Sequence, residues 1–173
     1  MLLTLVIVSI LATVSIIGMQ STIQNTRLVQ SYHSYDLAVQ RAETAIVLGE
    51  KALNIEDFFT VNVQSKLIEN KGMYAQSVVT NSGLETAWRF IDQQNLWADS
   101  NYAVVQRIAG YISSYIIEEL RMTEPLSEVL YFRVTANGQG FEKNTTVILQ
   151  TIVRIEKFPT GIEKNRVSWL KIQ

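Results

Sequence analysis

Residues 1–19 read MLLTLVIVSILATVSIIGM and carry no charged side chain. The first ionisable side chain is Arg27. A run of about 20 apolar residues spans a bilayer as a helix. Thr4, Ser9, Thr13 and Ser15 are tolerated in such a run, because a helical hydroxyl bonds back to the carbonyl four residues earlier. Three readings compete for the stretch. A cleavable signal peptide begins basic, has a shorter apolar core and ends on small residues. This run has no basic start and continues without a break. A plain membrane anchor is the second reading. The third is a helix that leaves the bilayer and packs with other copies inside a filament. A chain opening directly on its apolar run looks like one whose leader has been removed, which favours the third.

The helical pattern does not stop at Met19. No proline occurs before Pro125, and up to Leu53 only Gly18 and Gly49 weaken a helix strongly, each by about 1 kcal/mol relative to Ala. Past Gln20, Ile23, Leu28, Tyr32, Tyr35, Val39, Ala42, Ile46 and Leu53 recur at steps of three, four or seven. Arg27, Gln30, His33, Arg41, Glu50 and Lys51 mostly fill the other positions. That is an amphipathic stripe. The pattern predicts one helix over 1–53, roughly 75–80 Å long at about 1.5 Å per residue. Residues 1–19 form its membrane or filament-core part. Residues 20–53 are expected to pack on a head formed by 54–173.

The head reads as β toward its end. Tyr111–Glu118 (YISSYIIE), the alternating Val129–Ala136 (VLYFRVTA), Thr145–Ile155 and Asn165–Ile172 are expected strands. Asn137-Gly138-Gln139-Gly140 offers hairpin chemistry between the second and third, since Gly reaches positive φ cheaply. Pro159-Thr-Gly161 marks the turn before the last strand. Val61–Val63 and Lys66–Ile68 are short strands or loop. Ser82-Gly-Leu-Glu85 has capping-box spacing before a short helix over Leu84–Leu96. The alternative there is an irregular loop whose Trp88 and Trp97 plug the core edge. The expected fold class is α+β, a long N-terminal helix covering one face of an antiparallel sheet.

Composition narrows the function. The chain has 173 residues, a net charge of −1 and no cysteine. This length suits one domain with an appendage. Scattered Lys and Arg at near-zero net charge argue against nucleic acid as a partner. His33 is the only histidine, and it sits near Asp36 with no nucleophile elbow. Glu56-Asp57 and Glu118-Glu119 are read as solvated charge. Gly138-x-Gly140 lacks the setting of a nucleotide loop, and Asn144-Thr-Thr146 matches a glycosylation pattern by coincidence. Tyr32, His33 and Tyr35 are read as packing rather than as a ligand box. No catalytic residue, metal, cofactor or small-molecule substrate is expected.

Several segments together resemble a family. The apolar start, Leu37-Ala-Val-Gln-Arg-Ala-Glu-Thr-Ala-Ile46 with Gly49-Glu50, Tyr115-Ile-Ile-Glu-Glu119, Tyr131–Gly138 with Gly140, Val147–Gln150 and Val167-Ser-Trp169 follow the order seen in PilX-type minor pilins. The resemblance covers both ends and the C-terminal half and is weak over Asn54–Gly110. It implies an inner-membrane protein with its head in the periplasm, cleaved by a prepilin peptidase to leave a methylated amine. It further implies partnership with other minor pilins and the major pilin, priming of filament growth, a place at or near the tip, and display of a PilY-type adhesin. Most pilins carry glutamate at the fifth mature position, where it pairs with a neighbour's N-terminal amine; here that residue is Leu5. The expected assembly residues are Met1 for its amine, Leu5 for the missing charge, and Ile7, Leu11, Val14 and Ile17 for helix packing. A minor pseudopilin of type II secretion and a signal-anchored periplasmic scaffold are the alternatives.

Overall fold

The computed structural model of the chain describes residues 2–53, 72–74, 87–108, 110–120, 129–142, 144–158 and 160–172. One unbroken helix, α1 (Leu2–Ala52), takes up 51 residues. It runs straight through Gly18, whose missing side chain faces open space. β1 (Met73–Tyr74), α2 (Ala87–Gln93) and a 3₁₀ turn (Leu96–Ala98) follow. Then come β2 (Val104–Ile108), β3 (Tyr111–Leu120), β4 (Val129–Gln139), β5 (Thr146–Phe158) and β6 (Gly161–Lys171).

The strands form one sheet in the order β1-β3-β4-β5-β6. β3 to β6 is an antiparallel meander. The outer edge of β3 is shared. β2 pairs antiparallel along Tyr111–Tyr115, while β1 pairs parallel at Ile117 and Glu118. The fold is thus α+β with a mostly antiparallel sheet. The short parallel pair and β2 have no clear signature in the sequence.

Period-two alternation sends side chains to both faces, and both faces are covered. On one face Ala38, Ala42, Ala45 and Ile46 of α1, with Leu53 just past its end, bury Tyr115, Ile117, Phe132, Val134, Val147 and Leu149. On the other, Ala87, Ile91 and Trp97 pack with Ile116 and Ile148. β3 is therefore buried continuously from Ser113 to Glu119. Double coverage is the reason Glu118 and Glu119, expected to be solvated, are buried instead. Trp97 plugs the second face, its indole N–H donating to Asp92 at 3.1 Å. Of the expected Leu84–Leu96 helix, Ala87–Gln93 is helical and Leu96 opens the 3₁₀ turn, while 84–86 lie outside the described residues. The capping-box residues, Val61–Val63, Lys66–Ile68 and Glu56-Asp57 lie outside the described residues.

Two further expectations change. Asn137 and Gly138 do not turn the chain; they lie inside β4, paired with Ile148 and Val147. The connection is residues 140–145, closed by the Gly140 amide donating to Thr145 at 2.7 Å. The helical stripe also starts later than its apolar pattern suggests. Ser34 is its first buried residue, whereas Ile23, Leu28, Tyr32 and Tyr35 stay exposed. The reason is reach. The end of the sheet from which α1 emerges carries the loop with Phe141 and Glu142, and that loop meets α1 at Ser34.

Candidate assembly surface

The head grips α1 through small residues. Ser34, Ala38, Ala42, Ala45 and Gly49 follow at steps of four, four, three and four, so they share one helix face. Gly140 lies against Ser34 and Gly138 against Ala38 and Ala42, with Ala136 in the same core, and at these glycines backbone approaches backbone. Gly49 instead makes room for the side chains of Val134 and Tyr115. Polar contacts fix the register. Ser34 Oγ accepts the amides of Phe141 at 3.1 Å and Glu142 at 3.3 Å. Arg41 donates to the Gln139 carbonyl. Ser113 Oγ donates to the Arg41 carbonyl at 3.0 Å.

A second clasp holds the other end of the helix. The last carbonyls of a helix have no partner within it. Lys164 on β6 donates to the Glu50 and Leu53 carbonyls and so caps that end. Burial pushes the Lys164 pKa down, against the pull of Glu50. Arg166, two residues on, forks onto the Glu50 carboxylate with two bonds of 2.8 Å, and that bond holds its guanidinium above its ordinary range.

Beneath α2, Glu118 accepts the Ala87 amide at 2.6 Å. Desolvation raises its pKa, while Arg133 and the backbone amides of Ala87 and Trp88 pull it down. Arg133 lies 3.8 Å away. This carboxylate anchors a short helix to the sheet. Nearby, the Tyr74 hydroxyl donates to the Tyr102 carbonyl at 2.6 Å, and its pKa is pushed up to about 12, chiefly by burial.

The N-terminal part of α1 has no such partner. Leu5 is 74% exposed and Leu11 60%, and Ile7, Val14 and Ile17 are similarly bare. Ile7, Leu11 and Val14 fall on one stripe at i, i+4 and i+7. Ile17 flanks it and Leu5 points away from it. Met1 lies outside the described residues. Five hydroxyls here are turned back onto the helix. Ser9, Thr13, Ser15, Thr22 and Thr26 each donate to a carbonyl three or four residues back, at 2.8–3.0 Å. Over residues 3–19 what remains on the outside is almost entirely hydrocarbon. Covering one Leu or Ile side chain gains about 1.5–3 kcal/mol, so this surface fits lipid or other apolar helices. The helix is long and apolar enough to cross a membrane.

The head offers a smaller apolar patch on the edge strand β6, where Val167, Trp169 and Leu170 are exposed. A bulge shifts the register between Ile152 and Val153 and leaves Val167 without a cross-strand partner. Such a kink blunts an edge against strand addition.

Of these features, the bare apolar helix is plain in the sequence. The small-residue seam is signalled by its spacing, but spacing alone does not mark it as an interface. The Lys164–Arg166 clasp and the buried Glu118 carry no local signal. Among the described residues no three His, Cys, Asp or Glu side chains converge. A family model described as "Type IV pilus assembly protein PilX C-term" matches residues 61–155, more than half of the chain. No curated protein and no solved structure matches.

Proposed function

Because this chain belongs to the PilX family of type IV pilus assembly proteins, we propose that it is a minor pilin that primes filament growth from the inner membrane and sits at or near the tip. The observation that carries this reading is the division of α1. Its C-terminal part is locked to the head, while its N-terminal part is apolar on every side and bare. In the bilayer, lipid covers that part. In a filament, the helices of other minor pilins and the major pilin replace the lipid at little cost, because both are apolar. The head then stands outside, free to meet a PilY-type adhesin. The family match favours a pilus over the pseudopilus of type II secretion.

Leu5 refines the position. A carboxylate within hydrocarbon is costly unless paired. A subunit with Leu5 in place of the usual glutamate has no charge to seek the amine of a subunit above it. It is suited to the first, outermost place, offering its own amine to the subunit that follows. Leu5→Glu tests this. The variant is expected to fold normally and to change its pattern of site-specific crosslinks to the other minor pilins. An unchanged pattern rejects the outermost position.

A further inference from the structure

The end of the head from which α1 emerges is a rim of aromatic rings and cations. The rings of His33 and Phe141 are 5.4 Å apart, and those of Phe141 and Tyr111 5.5 Å. The Arg41 guanidinium lies 4.0 Å above the Tyr111 ring. On the β6 side the Lys171 ammonium lies 4.4 Å above the Tyr35 ring. Phe141 and Tyr32 are 48% and 67% exposed. Just below the rim, α1 carries Leu28 and Val29, also exposed, and then Arg27. The seam uses the Arg41 guanidinium and the Phe141 backbone amide, but not the rings of His33, Tyr32, Tyr35 and Phe141, and a rim facing only water has no need of so many exposed rings.

We propose that this rim rests on the headgroup layer of the phospholipid bilayer that holds α1, and so sets the depth and tilt of the head while the subunit is outside the filament. The proposal rests on the reading of α1 as a membrane anchor. Its first support is length. Arg27 is the first charge after the apolar run, so the hydrocarbon ends there or earlier. Seven residues separate Arg27 from Ser34, the first residue buried by the head, a rise of about 10 Å. The polar layer of a bilayer is about 5–8 Å thick on each side, the difference between a total of about 40–45 Å and a core of about 30 Å. With Arg27 at the edge of the hydrocarbon, the rim meets the outer limit of the headgroups. Leu28 and Val29 then lie within the polar layer instead of in open water.

The second support is chemistry. Aromatic rings with one wet edge concentrate at this depth, and Lys and Arg extend over apolar surface to reach phosphate. The rim combines the two, with Arg27, Arg41 and Lys171 as the cations. Among the described residues Asp36 and Glu142 are the acidic groups at this end, so the rings outweigh net charge as the attraction.

The chain contains no cysteine, so single spin labels can be placed at will. The full chain would be reconstituted in vesicles of phosphatidylethanolamine and phosphatidylglycerol, with one label at Ser15→Cys, Asn144→Cys or Thr160→Cys. Position 144 lies on the rim loop, and 160 at the far end of the head. Collisions with a relaxation agent attached to lipid headgroups are expected to be severalfold more frequent at 144 than at 160, while the label at 15 reports hydrocarbon. A label at 15 in lipid with 144 as wet as 160 overturns the rim proposal alone. A label at 15 in water overturns the membrane reading beneath it. Adding Phe141→Ser with Tyr32→Ser is expected to bring 144 down to the level of 160 without moving the label at 15. Persistence of headgroup contact in that variant also overturns the proposal.

Discussion

Gly138 lies flush against Ala38: a Cβ built on the glycine would stand 2.1 Å from the Ala38 carbonyl oxygen, and 2.4 Å from the Ala42 nitrogen. Both obstacles are backbone, so no rotamer change relieves them. One missing methyl group on β4 thus fixes how closely α1 can lie on the sheet, and with it the direction in which the bare part of α1 leaves the head.

Gly138→Ala is therefore expected to destabilise the head at or above the upper end of the usual range for overpacking, about 1–3 kcal/mol. Thermal unfolding checks this, with a loss of several degrees in Tm as the expected result. An unchanged Tm means that the helix lifts from the sheet without penalty.

Ser34→Ala leaves the amides of Phe141 and Glu142 without their shared acceptor. Ser34 is almost fully buried, and an unpaired buried donor costs about 1–3 kcal/mol. Amide exchange at 141 and 142 should rise more than at Val147 or Leu149. Uniform protection in the variant contradicts the role assigned to the hydroxyl.

Glu118 makes stability depend on pH with a definite sign. Burial raises the pKa of this carboxyl in the folded chain. The folded state therefore holds its proton more tightly than the unfolded one. Its contribution is greatest below the unfolded carboxyl value and is lost as pH rises through the raised folded value. Glu118→Gln keeps an oxygen for the Ala87 amide and removes the titration. The unfolding free energy of the variant should fall less steeply with pH across that window than that of the parent. Identical slopes exclude Glu118 as the source.

Ile7→Lys places a charge on the bare stripe shared with Leu11 and Val14. At the centre of a membrane helix such an exchange costs roughly 3 kcal/mol on the insertion scale. The variant is expected to leave the membrane fraction or to fail to co-purify with other pilins, with the head still folded. Filaments built normally with it contradict the assembly role of this stripe.

Much of this molecule was legible along the chain. An uncharged run with no proline, passing without a break into an amphipathic repeat, leaves little choice but a single long helix. β-branched and aromatic alternation marked β3 to β6 to within a few residues. Asn137-Gly138 misled because the same glycine serves a turn or a close contact, and local sequence does not say which. Ile23, Leu28 and Tyr32 misled for a related reason. Periodicity shows that a helix has an apolar side, not how far along it the partner extends.

By itself the sequence determined the rod, its bare apolar half and the strand-rich head, because those follow from properties each segment carries alone. The tertiary structure decided the rest. It set where the head stops gripping the rod, at Ser34. It made Lys164 a cap for the end of the helix and Arg166 a partner for the Glu50 carboxylate. It buried Glu118 under a helix that begins 31 residues earlier in the chain. Each of these is a meeting of residues far apart in sequence, and such a meeting is fixed only when the sheet closes and both its faces are covered.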